Sequence, residues 1–96
     1  MWARVASFED GDVKRLRELQ QERLAQGRGV PDGVKGALVF VDHETGRRQF
    51  VTLFESHEAI EAVEGQFDAI GDEIPEDIRG HRTAVNYYDV VYQQLP

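Results

Sequence analysis

The segment "TAVNYYDVVYQ", residues 83–93, would carry large apolar or aromatic side chains on both faces if it formed a β-strand. Successive side chains of a strand point to opposite sides. One side would hold Asn86, Tyr88, Val90 and Tyr92, and the other Val85, Tyr87, Asp89 and Val91. A strand in a small antiparallel sheet usually exposes one face to water. The chain must therefore fold so that both faces of its sheet are covered.

The hydrophobic pattern predicts the order strand, helix, strand, strand, helix, strand. The first helix starts at an N-cap aspartate, Asp10 or Asp12, and the second at Ser56, and Gly46 supplies the turn between the middle strands. An acidic connector, "GDEIPEDIRGHR", precedes the last strand and has room for one short helical turn. The predicted strands are residues 2–9, 34–42, 47–54 and 83–93, and the predicted helices are residues 13–26 and a segment with apolar residues at positions 60, 63, 67 and 70.

Two interleaved strand–helix–strand units of this kind form a ferredoxin-like α+β fold. The four strands make one antiparallel sheet, and both helices cover the same face of it. A chain of 96 residues has the length of one domain, so we expect residues 1–96 to form a single ferredoxin-like unit.

The sheet face away from the helices also carries apolar residues on at least three strands. Left bare, it would exceed the few hundred Å² of apolar patch that monomers tolerate. A second copy of the same sheet, packed about a two-fold axis, is the simplest cover. The sequence therefore predicts a homodimer through this sheet face.

Composition excludes several classes of partner and chemistry. The net charge of −7 and the pI near 4.8 argue against nucleic acid and against an anionic membrane surface. No apolar run reaches the roughly 18 residues of a membrane span, and "MWARVASFED" has no secretory pattern, so we expect a cytoplasmic protein. Cysteine is absent, and no two histidines have metal-ligand spacing. We therefore predict no metal and no cofactor.

Five residues are candidates for a pocket between sheet and helices, although no catalytic residue is identified. Arg4, Asn86 and Tyr88 could offer polar groups to a bound carbonyl or phenolate. His81 precedes the last strand, where strand ends flank such a cleft, and Trp2 could supply an aromatic wall. The alternative for the aromatic residues is ordinary core packing.

Asp89 is a carboxylate in an apolar strand. Burying it without a partner would cost desolvation free energy. One interpretation is an ion pair across the dimer or across the sheet, for example with Arg4 or Arg82. The other is a general base with a raised pKa.

Taken together, these segments resemble the dimeric α/β barrel superfamily, and within it the small antibiotic-biosynthesis-monooxygenase-like proteins. The resemblance spans nearly the whole chain and rests on the order and patterning of the elements. The segments that carry it are "MWARVASFE", "LQQERL", "GALVFVDHETGRRQFVTLFES", "SHEAIEAVE" and "VNYYDVVY".

The resemblance implies a dimer of paired sheets with a pocket in each subunit, and it implies several activities. Haem-degrading members use an asparagine on the first strand and a tryptophan on the second helix, followed by a histidine. Here the first strand has no asparagine, the second helix has Phe67 and no tryptophan, and His81 is the only histidine after it. This departure argues against haem degradation.

Two functions remain in view, with a third that is less favoured. The first is a cofactor-free monooxygenase-like protein that binds a small apolar, aromatic or polyketide-like substrate. The second is a non-catalytic dimeric ligand-binding or regulatory module. A plain scaffold is disfavoured because nothing else is fused to the domain.

Overall fold

A computed structural model of the chain describes residues 1–28 and 31–94. The predicted order of strands and helices is confirmed, with a short third helix inside the acidic connector. The elements are β1 (Trp2–Glu9), α1 (Val13–Ala25), β2 (Gly36–Val41), β3 (Arg48–Phe54), α2 (His57–Glu73), α3 (Glu76–Arg79) and β4 (His81–Asp89).

The four strands form one sheet in the order β2-β3-β1-β4, and every neighbouring pair is antiparallel. This order is that of the ferredoxin-like fold, so the predicted fold class is confirmed. No helix within the described ranges is long and apolar enough to cross a membrane.

Local signals in the sequence set the helix starts and the hairpin. Asp12 accepts a hydrogen bond from the Arg15 backbone N–H at 3.1 Å, and Ser56 accepts one from the Ala59 N–H at 3.2 Å. Each side chain thus satisfies a backbone donor that has no partner within the helix. Gly46 has a φ of +75°, as predicted for the turn between β2 and β3.

The strand register divides the sheet into two chemically different faces. Arg4 on β1 lies opposite Thr52 on β3 and Tyr87 on β4, and it reaches a carboxylate on α2. Paired residues share a face, so these three side chains lie on the side of the helices, here called the helix face. The opposite side, here called the open face, holds Ala3, Val5, Ser7, Leu38, Phe40, Gln49, Val51, Leu53, Asn86 and Tyr88.

Helix α2 packs on the helix face, but α1 does not. Phe54 of β3 and three α2 residues, Ile60, Val63 and Phe67, form the buried core cluster. By contrast, no side chain of α1 is buried, and Leu24 is 71% exposed. Both helices lie over one face of the sheet, as predicted, but the apolar residues of α1 do not pack against the sheet.

The ends of α1 explain why it stands away from the sheet. At its start the Asp12 N–H donates to the Ile78 carbonyl at 3.1 Å. Near its end Arg23 contacts the Glu73 carboxylate at 2.7 Å. Because α1 is tied to α3 and to the end of α2, its middle can span the helix face without packing on it.

The last strand is shifted from the predicted residues 83–93. It begins two residues earlier, at His81, and ends at Asp89. Asp89 pairs with Trp2, the first residue of β1, and the Val90 N–H donates to the Met1 carbonyl. The strand ends there because β1 offers no further backbone to pair with. Tyr92, predicted to lie in the strand, is 77% exposed beyond it.

Candidate functional site

The gap between α1, α2 and the helix face is a cavity of about 810 Å³. Phe50 and Val39 form part of its sheet wall, Phe67 and Ile70 belong to α2, and Leu16 belongs to α1. Its volume lies within the range of small-molecule sites in proteins. A second depression of about 550 Å³ is lined by the β2–β3 hairpin, the end of β1 and the start of β4.

Arg4 is held rigidly at the wall of the cavity. Its side chain is 2% exposed, and it contacts Glu64 of α2 through Nε at 3.0 Å and Nη2 at 2.9 Å. Its guanidinium also lies 4.3 Å from the centre of the Phe67 ring. A bidentate ion pair and a cation–π contact fix both charge and orientation. Arg4 therefore presents an already neutralised group to the cavity.

Tyr87 lies beside this pair. Burial raises the pKa of the Tyr87 hydroxyl, and the negative charge of Glu64 raises it further, whereas Arg4 opposes the shift. The phenol therefore stays protonated at neutral pH and can donate a hydrogen bond. His57 lies between Tyr87 and Trp2, with edge-on ring contacts at 5.8 Å and 5.0 Å.

The structure separates the five sequence-predicted site residues. Arg4 and His81 line the cavity, and Trp2 packs against the core cluster on the helix face. Asn86 and Tyr88 lie on the open face, away from the cavity, because Tyr87 takes the position opposite Arg4. Alternation along β4 then turns both neighbours of Tyr87 to the other side of the sheet.

Asp89 takes neither of the two partners suggested for it. Arg4 pairs with Glu64, and Arg82 contacts Asp68 at 3.1 Å. Asp89 itself is exposed at the end of β4.

Several residues of the site were missed at the level of sequence. Arg48 lies on the same side of β3 as Phe50 and Phe54. A charged residue on an otherwise apolar face was a sign in the sequence that Arg48 could belong to a site. Glu64 and Arg79 had no such signal. Arg4 meets Glu64 because α2 lies over the sheet, and Arg79 meets the Gly71 carbonyl because the chain turns back between α2 and α3.

The chemistry of the site lies in arginines, aromatic rings and one histidine. In the part of the chain that the structure describes, no three His, Asp or Glu side chains lie close enough together to hold a metal ion. The cavity can surround an apolar body and offer cationic donors, and His81 adds an imidazole to its wall. Fold and site together define an α+β protein with a ferredoxin-like sheet and a cavity between the sheet and the helices.

Comparison with solved structures supports this fold class. A protein from Deinococcus radiodurans, described as a "putative antibiotic biosynthesis monooxygenase", aligns over 100% of this chain and 98% of its own, with a TM-score of 0.57 and 15% sequence identity. The resemblance seen in the sequence is thereby confirmed as a likeness of fold. No family model and no curated protein matches the chain.

Proposed function

We propose that this protein binds a small, largely apolar molecule in the cavity between its sheet and helices. The observation that carries the proposal is the cavity of about 810 Å³ left by α1, whose side chains are not buried. The apolar part of its wall can cover apolar surface of a ligand, and this burial contributes hydrophobic and dispersion energy. A ligand recovers that energy without any change in the fold.

The lining favours a ligand with an aromatic body. Phe8, Phe50 and Phe67 all contribute to the walls, with Val39 and Ile70 beside them. Aromatic rings stack on or meet other rings edge to face at close distance. A tri- or tetracyclic phenol of the polyketide type has the size and the planar shape that such walls accommodate.

Filling the cavity from the α1 side tests this binding. Leu16→Trp places an indole in the space in front of α1, and we expect it to weaken binding of the neutral probe N-phenyl-1-naphthylamine at least about tenfold. Gln21→Trp is the matched control, because Gln21 is exposed on the same helix and does not line the cavity. Probe fluorescence gives the dissociation constants. Equal binding by both variants and the wild type would contradict the proposal.

The fold likeness supports a reaction in the same cavity, namely cofactor-free oxygenation of the bound phenol. His81 would take a proton from an activated CH₂ group, and the resulting carbanion would pass its electrons to dioxygen. One oxygen atom enters the ring as a carbonyl, and the other leaves as water with the two hydrogens of the CH₂ group. The cavity would contribute orientation and exclusion of bulk water.

Oxygen consumption with anthrone tests this reaction. We expect uptake above the protein-free rate, with anthraquinone as product, and a fall of roughly a hundredfold in the catalysed rate for His81→Ala because a positioned base is lost. His43→Ala is the control, since His43 is exposed near the β2–β3 turn. Uptake that matches the protein-free rate would count against catalysis but not against binding.

The alternative is a non-catalytic ligand-binding or regulatory module, and the ion pairs favour it. Glu64 forms an ion pair with Arg4, and Asp68 forms one with Arg82. These two carboxylates near the cavity are therefore not free to act as bases. Such a site would hold a ligand without transforming it. Probe binding with no oxygen uptake across a panel of phenols would select this alternative.

We also propose that two copies pair through the open face. Leu38, Phe40 and Tyr88 are each about half exposed there, at 49%, 52% and 54%, and Val5, Val51 and Leu53 connect them across the sheet. A face of this apolar extent favours a second copy packed about a two-fold axis. The cytoplasmic location stays a prediction.

A further inference from the structure

The walls of the cavity are cationic, although the protein as a whole is acidic. The net charge of the chain is −7, yet among the described residues only two acidic ones, Asp68 and Asp72, line the cavity. The arginines that line it are Arg4, Arg23, Arg28, Arg48, Arg79 and Arg82. The cavity therefore carries an excess of positive side chains, although the net charge of the protein is negative. A local excess of this kind is typical of a site that binds an anion.

Internal ion pairs neutralise only part of this charge. Arg4 is paired with Glu64, and Arg82 with Asp68. Two further arginines, Arg23 and Arg28, share a single oxygen of the Glu73 carboxylate at 2.7 Å and 2.6 Å, and together they lower the pKa of Glu73. One carboxylate for two guanidinium groups leaves a positive charge at this end of the cavity.

The other two arginines contact only backbone carbonyls among the residues that the structure describes. Arg48 is 3% exposed and donates to the carbonyls of Asp10 and Arg79, so it serves to join loops. Arg79 donates through Nη1 to the Gly71 carbonyl at 2.7 Å. Its Nε is buried without a hydrogen-bond partner. A buried N–H of a charged group that lacks an acceptor is costly, and an anionic ligand would supply the acceptor.

The surroundings of Arg79 supply further donors. His81 and Arg82 follow it within three residues, and both line the cavity. The apolar walls at Phe50 and Val39 belong to the sheet. The cavity thus combines a cationic end, made by the turn from α3 to β4, with an apolar wall made by the sheet.

We propose that the ligand is an amphipathic anion, an aromatic or other apolar body bearing a carboxylate or sulfonate, and that Arg79 binds its charged group. The inference rests on the proposed small-molecule function and specifies its ligand class. A planar guanidinium matches an oxyanion of this type with two parallel hydrogen bonds. The positive charge that Glu73 leaves on Arg23 and Arg28 adds to the attraction in a site partly shielded from water.

A matched pair of probes separates charge from apolar binding. 1-Anilinonaphthalene-8-sulfonate and N-phenyl-1-naphthylamine share the same arylamine body, and only the first carries an anion. We expect the wild type to bind the sulfonate at least about tenfold more tightly. Arg79→Gln should remove most of that preference and leave binding of the neutral probe within about twofold. Arg79→Lys, which keeps the charge but not the planar fork, should retain part of it.

Arg17→Gln is the control, because Arg17 is exposed on α1 and does not line the cavity. This substitution changes the net charge by the same amount as Arg79→Gln. Its binding of both probes should match the wild type. Equal affinity of the wild type for the two probes would overturn the anion inference and leave the proposed function intact. An equal loss in the Arg17 and Arg79 variants would also overturn it, since the effect would then be long-range. Failure of both probes to bind would refute the proposed function, and this inference with it.

Discussion

Gly80→Ala is expected to lower the free energy of unfolding by about 3 kcal/mol or more, which for a chain of this length lowers the melting temperature by roughly 15 °C. Gly80 has φ +83° and ψ −177°, a backbone conformation that glycine adopts and residues with a Cβ avoid. A Cβ there would overlap the Arg48 guanidinium and lie 2.5 Å from the Glu9 carbonyl oxygen and 2.6 Å from that of Asp10.

The large effect follows from what Gly80 joins. Arg48 reaches across this point to the carbonyls of Asp10 and Arg79, so it links the end of β1 to the turn between α3 and β4. A methyl group would force these backbones apart, because two of its three nearest neighbours are backbone atoms with little freedom to move.

Gly27→Ala is the matched control for this prediction. Gly27 also has a positive φ, +71°, but its added Cβ would meet no atom within 4 Å. We expect a loss of about 1 kcal/mol from the backbone conformation alone. Urea unfolding followed by circular dichroism measures both variants. Equal losses in the two proteins would show that the contacts around Gly80 contribute nothing.

Leu38→Glu is expected to convert the proposed dimer to a monomer. Leu38 is 49% exposed on the open face and lies opposite Val51, so in a face-to-face dimer its side chain would be buried between two sheets. The two-fold axis would place a new carboxylate on each side of the interface. Burying unpaired charges costs several kcal/mol each, so the dissociation constant should rise at least about a thousandfold.

Val39→Glu is the control, because Val39 is the next residue of the same strand and points to the cavity instead. At 43% exposed it is nearly as accessible as Leu38. Native mass spectrometry and sedimentation velocity at micromolar concentration should find dimers for the wild type and Val39→Glu, and monomers for Leu38→Glu. A monomeric wild type would refute the proposed pairing of open faces, and loss of the dimer in both variants would mean that another surface mediates it.

Patterns confined to a few residues were readable from the sequence. The cap at Ser56 and the turn at Gly46 are confirmed, and the N-cap aspartate of the first helix is Asp12, one of the two candidates. The alternation along β3 puts Phe50 and Phe54 on one face and Val51 on the other. Each depends on side-chain alternation or on hydrogen bonds to the nearest backbone groups. The order of these elements was then enough to predict the ferredoxin-like sheet.

The composition of the site was less predictable. β4 is aromatic on both of its faces, so alternation alone could not decide between Tyr87 and Tyr88. The register against β1, with its irregularity between Ser7 and Phe8, places Tyr87 opposite Arg4. Asn86 and Tyr88 then lie on the open face, away from the cavity. The other predicted pocket residues lie on the opposite side of the sheet.

The sequence by itself determined the elements, their order and the apolar character of both sheet faces, because these properties are encoded in residues close together along the chain. Only the tertiary structure decided that a cavity exists and that arginines line it. Arg4 meets Glu64 across 60 positions of sequence, and α1 is held at its ends by Ile78 and Glu73 rather than along its face. Contacts between distant segments set this spacing, and the space they leave open is the candidate site.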